Sequence, residues 1–547
     1  MKRRSIIAGV SGARDRWSVI RRLTFIAMAA AAISILPPAM PSAGVQTLRW
    51  ATQGDPATMD PHSQNELLTN AMNGQVYETL VQRDRELALV PGLATEWQQL
   101  SPTHWRFRLR PGVRFHDGTP FTADDVVFSV ARAKAPTSTI RVYANAIGEP
   151  RKVDPLTVDF VLPKFNPIFL AHIGTIQIMS RAWCEKHGAT KPLDFKNRED
   201  RHTALNANGT GPWILVSRQP DVKTVYRRNP GWWGRFEGNV QEVVYTPIKS
   251  DATRTAALLS GEIDLVQDPA PQDLARLRAN PAVSVIEGVE NRIVFIGMDQ
   301  GRDELLYSSV KGRNPFRDVR VRRALYHAVD IEAIRGRLMR GQAQPTGAVM
   351  PSKRGSFDDP EIERRLPYDP DRARQLLAEA GYADGFDVTL DCPNNRYVND
   401  EEICQALAAM WSRIGVRIRV NAMPRAQYFA KMEKLDTSMY MLGWGGSITD
   451  AETTLTPVYR SRGTGGVGDY NWGQVSNPKL DELALASSQE PDPKKREQLI
   501  RAALKEHNEQ VHHLPLHRQV IPWAARRGVS VVHRADNWFE WAWVTVR

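Results

Sequence analysis

The sequence predicts an α/β fold organised in two blocks, and three features carry that expectation. In "DATRTAALLSGEIDLV", Asp251 to Val266, a capped helix pattern stops at Gly261 and passes into a short buried strand. Further on, "NDEEICQALAAMWSRIG", Asn399 to Gly415, is a helix pattern that feeds the strand "VRIRVNAM". Helices alternating with strands in both halves indicate α/β layers. Length is the third feature, because 547 residues exceed one ordinary domain and can bury cores in two or more lobes.

The chain opens with a basic region through Arg22, an apolar run "LTFIAMAAAAISILP" and the small residues "AMPSAG". Basic, apolar, small is the layout of a secretory signal peptide. We assign residues 1–43 to it, with cleavage near Ala43 or Gly44. The apolar run is shorter than the roughly twenty residues of a spanning helix, and an uncleaved anchor is the alternative. After the leader, "VQTLRWAT" reads as a strand. "HWRFRLRPGVRF" alternates Trp105, Phe107 and Leu109 with arginines, which is a half-exposed strand closed by the turn Pro111-Gly112.

The next stretch, "RFHDGTPFTADDVVFSV", concentrates a histidine, three aspartates and two threonines. Asp117-Gly118 is a turn dipeptide. Thr122, three residues before Asp125 and just ahead of an apolar run, forms a capping-box pattern, with Asp125 in place of the usual Glu. Asp124 and Asp125 then lie in a first helical turn, where the macrodipole favours negative charge. These residues and His116 are expected to be structural. Strands follow in "LTVDFVL" and "TVYRRN", and "VFIGMD" opens the second block. There, "YDPDRARQLLAEAGY" has Asp369 at the N-cap, Pro370 at the first helical position and Gly381 just past the end.

The formal charge of +11 is concentrated at the start: residues 1–43 carry +6, leaving +5 over everything else. That is too dilute for a nucleic-acid footprint. No nucleophile elbow, phosphate-binding glycine loop or metalloprotease helix is present in the sequence, so an enzyme is not expected and no cofactor is called for. Of the three cysteines, Cys392 and Cys404 are candidates for a bridge in an oxidising compartment, with Cys184 left over. His507, His512, His513 and His517 raise a metal question, but their spacing fits no compact ligand pair on one helix face. "GWWG", Gly231 to Gly234, reads as an aromatic packing turn.

The stretch "LATEWQQLSPTHWRFRLRPGVRFHDGTPFTADDVVFSV" resembles the signature region of family 5 extracellular solute-binding proteins. The resemblance continues in order through "GTGPWIL", "RNPGWWG", "AALLSGEIDLV", "FRDVRVRRALYHAVD", "DPDRARQLLAEAGY", "IGVRIRV", "MLGWGG" and "HLPLHRQVIPWAARRGV". It implies a two-lobed periplasmic-binding-protein fold of the cluster C type, with a hinged cleft. By this resemblance the first lobe is 44–289, with an extra subdomain at about 77–208 and completion by 516–547; the second lobe is 290–515. The implied function is the substrate-binding component of an ABC importer in the periplasm. As a monomer, it would capture a small peptide or peptide-like solute and deliver it to a membrane permease. A non-peptide anionic solute, an opine or a metal chelate is the alternative ligand; a periplasmic hydrolase or chaperone-like protein is the alternative class.

Two stretches are the ligand-binding candidates. In "MLGWGGSITDAETTL", Gly445 and Gly446 lack side chains and let a ligand approach the backbone. Trp444 offers an apolar wall and an indole N–H. By resemblance this loop holds the ligand's amino end in dipeptide- and oligopeptide-binding proteins, which carry an aspartate three residues after the tryptophan. That position is Ser447 here, and Asp450 is the candidate substitute. In "DCPNNRYVND", Arg396 matches the arginine that grips the ligand carboxylate in dipeptide-binding relatives, a task suited to a guanidinium because it donates two parallel hydrogen bonds.

Overall fold

The two longest strands, Val283–Met298 and His513–Arg526, run antiparallel along most of their length. Their register runs from Val283 opposite Arg526 to Gly297 opposite His513, with irregularities between Val289 and Ile293 and between Val294 and Phe295. They form the spine of an eleven-stranded mixed sheet. Beyond Val283–Met298 lie Met439–Gly445, Phe386–Pro393 and Val416–Met423 in turn; beyond His513–Arg526 lie Leu265–Gln267, Thr47–Ala51, Glu242–Tyr245, Lys223–Arg228 and Trp213–Gln219. Ala343–Pro345 pairs with His513–Arg526 off this path. The coordinates are a computed structural model that describes residues 46–194, 199, 201–351, 359–394, 396–464 and 466–547. The leader assigned to 1–43 lies outside the described residues.

A separate four-stranded antiparallel sheet is ordered Ala94–Ser101, His104–Leu109, Thr157–Val161, Glu149–Asp154. The alternation read from the sequence appears in its second strand. Phe107 and Leu109 are buried, while Arg106 pairs with Asp159 at 2.7 Å and Arg108 with Glu96 at 3.1 Å. Against this sheet packs the helix Ala123–Ala133, which begins with a capping box between Thr122 and Asp125. The rest of that motif shapes a turn: Asp117 accepts from Thr119 N at 3.0 Å and from Asn208 Nδ2 at 3.0 Å. His116 Nε2 meets Gly211 O at 2.9 Å, and burial lowers the imidazole to about 4, so it donates as a neutral ring.

"GWWG" is a packing turn with a polar purpose. Trp232 and Trp233 donate their indole N–H groups to the two oxygens of buried Glu78 at 3.0 and 2.7 Å, and Thr210 and Gln82 also donate to this carboxylate. A buried carboxylate is costly unless hydrogen-bonded. Here burial pushes the Glu78 carboxyl up against the pull of those donors.

The helices obey their local signals. Ser250 caps Asp251–Ser260, which ends at Gly261 with φ +82°. Asp369 caps Pro370–Glu379 through Arg372 N, and Gly381 follows with φ +82°. Asp400–Ser412 instead starts from Asn399 in the left-handed region, with no side-chain cap bond. "VFIGMD", which reads from sequence as the opening of a block, is the end of the sixteen-residue strand Val283–Met298.

The large apolar cores separate cleanly along the chain. Two contain only residues from Ile293 to Leu516; three contain only residues from Leu48 to Val283 together with Ile521 to Val544. One small cluster joins the two sets, packing Ile448 against Ile168 and Ala171. The two spine strands carry the sheet from one set of cores to the other.

Candidate functional site

Three charged or amide residues interrupt the spine strand where its register breaks: Glu290, Asn291 and Arg292, all nearly buried. Arg292 Nε pairs with Glu290 Oε2 at 3.1 Å, and Gln519 of the other spine strand donates to the same oxygen at 3.1 Å. Gln519 Oε1 in turn accepts from Val398 N at 3.3 Å, which docks the loop carrying Arg396 onto the spine. Next to Val398, Tyr397 donates its hydroxyl to Gly443 O at 3.4 Å.

The loop itself is set by Asp400. Its carboxylate accepts the backbone N–H groups of Arg396 at 2.8 Å and Tyr397 at 3.0 Å. At the loop's base Cys392, near the end of Phe386–Pro393, and Cys404, in the helix Asp400–Ser412, form a disulfide with Cα atoms 6.7 Å apart. Cys184 is a free, buried thiol. Among the described residues the Arg396 guanidinium has no carboxylate within ion-pair distance; it lies 5.1 Å from the Tyr397 ring centroid. Burial, then repulsion from Arg292, holds it below the ordinary arginine range, with Arg425 adding to the repulsion and Glu290 opposing it.

The second candidate stretch meets this group from the neighbouring strand. Arg292 is opposite Gly445 and Ile293 opposite Trp444. A Cβ at Gly445 would lie 2.0 Å from Asn291 O, so glycine is required there by the spine rather than by a ligand. Gly446 has open space where a side chain would stand, but its N–H donates to Asn291 O at 3.1 Å and its carbonyl accepts from Asn291 Nδ2. The Trp444 indole N–H donates to Thr453 O at 2.9 Å, and the ring packs on Tyr470 at 4.6 Å. The donors and backbone groups that the sequence offers to a ligand at Trp444 and Gly446 therefore hold the loop in place. Ser447, half-buried, makes no side-chain hydrogen bond among the described residues.

Asp450 is engaged. Arg496 Nη1 and Nη2 reach its two oxygens at 2.9 and 2.6 Å, and Glu452 N donates to Oδ1 at 2.9 Å. The bidentate pair means that Asp450, the candidate substitute for the amino-end aspartate, already has a cationic partner within the chain. Arg496 lies 46 residues away, so no local pattern announces the pair. Glu290, Asn291 and Arg292 were missed for a different reason. Their signal is visible as three polar residues inside the strand "VENRIVFIGM", but read from sequence the block opens only after them, at "VFIGMD".

The histidine cluster is a core feature. His507 Nε2 and His513 Nδ1 are 2.8 Å apart, with Tyr459 stacked on His507 at 3.8 Å, and His512 lies between Gln300 and Asn477. Burial lowers His507 to about 3 and His512 to about 2. Among the described residues no group of three or more His, Cys, Asp or Glu side chains is placed to hold a metal ion.

Residues 88–466 match the family model of bacterial extracellular solute-binding proteins, family 5. Heme-binding protein A of Haemophilus influenzae is 29% identical over 444 residues, 76% of each chain. Glutathione-binding protein GsiB of Salmonella paratyphi A is 28% identical over 484 residues, covering 85% of this chain and 87% of that protein. The periplasmic binding protein DppA of Helicobacter pylori, solved with the peptide STSA, superposes with a TM-score of 0.75 at 22% identity over 91% of this chain and 98% of its own. That likeness shows the two-lobed fold. The ordered motifs, the mixed sheet with its two crossing strands and the matched span lead to one assignment: the chain belongs to the bacterial extracellular solute-binding proteins of family 5.

Proposed function

We propose that this protein captures a carboxylate-bearing solute, a small peptide or peptide-like molecule, between its lobes and delivers it to an ABC permease. The observation that carries the reading is Arg396: a half-buried guanidinium with no carboxylate partner among the described residues, over the Tyr397 ring and repelled by Arg292. An arginine so placed favours an anion. The ligands in the relatives' names, heme, glutathione and a peptide, share carboxylates. Leader residues 1–43 support export to the periplasm. The separation of the cores supports lobe limits near 290 and 516, where the spine strands cross.

The amino end of the ligand is a different matter. Ser447 stands where dipeptide binders carry an aspartate, and Asp450 is neutralised by Arg496. This favours a blocked or otherwise modified amino group, or a non-peptide anion such as an opine, over a free dipeptide. A thermal-shift screen against free and N-blocked peptides, opines, sugars and metal chelates tests the class. A ligand at 100 times its Kd stabilises the native state by about 2.7 kcal/mol. Stabilisation by neutral sugars alone would refute the carboxylate reading.

A further inference from the structure

A half-open cavity of about 340 Å³ lies at the small apolar cluster that, among the described residues, joins the two sets of cores. Leu89, Trp105, Ile168 and Phe169 line it from one set of cores, and Ile448 from the other. Its polar lining is one-sided in chemistry. Trp105 Nε1 and Arg83 Nη2 are buried N–H donors with no acceptor among the described residues. Arg83 spends only its other terminal nitrogen, Nη1, on Leu87 O at 3.1 Å. Asp450 also lines the cavity, but its oxygens are occupied by Arg496 and Glu452 N. Thr449 adds a hydroxyl that serves either way.

Buried donors without acceptors are uncommon, and their cost is relieved when a ligand brings the missing acceptor. Burial lowers Arg83 to about 10, with Asp536 opposing and Arg534 reinforcing the shift. The volume falls in the lower part of the range of small-molecule sites. We infer that this cavity is a second ligand subsite, taking an apolar group attached through a carbonyl or carboxylate oxygen that Trp105 and Arg83 recognise. The inference rests on the cleft-binding reading and deepens it. In a ligand anchored by its carboxylate at Arg396, the cavity would receive the blocked end that Ser447 and the occupied Asp450 favour. Because its walls come from both sets of cores, filling it favours the closed arrangement.

Crystals of the full protein without its leader would be soaked with benzoate, benzamide and benzylamine. Calorimetry would compare N-benzoyl-alanyl-leucine with alanyl-leucine. Benzoate or benzamide is expected in the cavity and benzylamine is not; which of the two enters tells a carboxylate from a neutral carbonyl preference. The benzoyl dipeptide is expected to bind at least tenfold tighter than the free one. Trp105→Phe, which keeps the ring and removes the N–H, and Arg83→Met should each cost the benzoyl dipeptide about fivefold and leave the free dipeptide unchanged. A cavity empty of both oxygen-bearing fragments, or a benzoyl dipeptide no tighter than the free one, overturns the subsite. Arg396→Ala separates the two readings: if it weakens neither dipeptide while a fragment still fills the cavity, the carboxylate anchor falls and the subsite stands.

Discussion

At Arg396 burial weighs most on the guanidinium, Arg292 and Arg425 repel it, and Tyr397 and Glu290 attract it. Removing it relieves the burial cost of a charge with no carboxylate partner among the described residues, so Arg396→Ala is expected to leave the melting temperature nearly unchanged. The same substitution should weaken a carboxylate ligand at least tenfold, or about 1.4 kcal/mol. Titration calorimetry reads the affinity, and unchanged binding would exclude the anchor. Ser447 offers the converse experiment. Ser447→Asp restores a carboxylate where dipeptide binders have one, and should tighten a free-amino dipeptide relative to its N-blocked form. A change in both alike would mean that the position does not face the amino end.

Single elements carry their own predictions. The Thr122 capping box opens the helix Ala123–Ala133, well away in sequence from the ligand-binding candidates. Thr122→Ala should cost about 1 kcal/mol of stability and leave affinity intact; a large affinity loss without destabilisation would overturn its structural role. The Cys392–Cys404 bridge behaves differently because it brackets the Arg396 loop, with a sequence separation of 12. Replacing both cysteines by alanine should lower stability by about 2–3 kcal/mol and also weaken carboxylate binding, since the loop's base is released. Chemical denaturation and calorimetry on the same variant separate the two effects. The helix caps and the alternating strand were legible because their partners lie within a few residues. Asp369 and Arg372, or Thr122 and Asp125, need no knowledge of the fold.

For the molecule as a whole, buried histidines dominate the acid response. Burial lowers His62, His116, His172 and His517 to about 4, His507 to about 3 and His512 to about 2, and takes His513 well below its ordinary value. Below about pH 6.5 the unfolded chain therefore binds protons that the folded chain refuses. Their contribution is fully present above pH 6.5 and is lost as pH falls towards 4, at about 1.4 kcal/mol per pH unit for each histidine titrating. Asp268 and Glu452 act the other way, since burial raises both to about 7, and burial also raises the Glu78, Asp125, Asp400 and Glu540 carboxyls, so they offset part of the loss from the seven histidines. Differential scanning calorimetry should show the melting temperature falling as pH drops from 6.5 to 5; a flat profile would refute this account.

Sequence by itself determined what depends on local pattern: the α/β alternation, the caps and glycine stops, and the ordered motifs that mark the family. Arg396 also stood out, because its loop motif is contiguous. Only the tertiary structure decided which candidate groups remain available. Asp450 meets Arg496 46 residues on, and Asn291 reaches Gly446 across 155 residues. These pairings follow from strand register and helix packing, where contact is set by the folded sheet and not by nearness along the chain. A carboxylate or a glycine reads the same in sequence whether it is free or already held; its partners, brought in from a distance, make the difference.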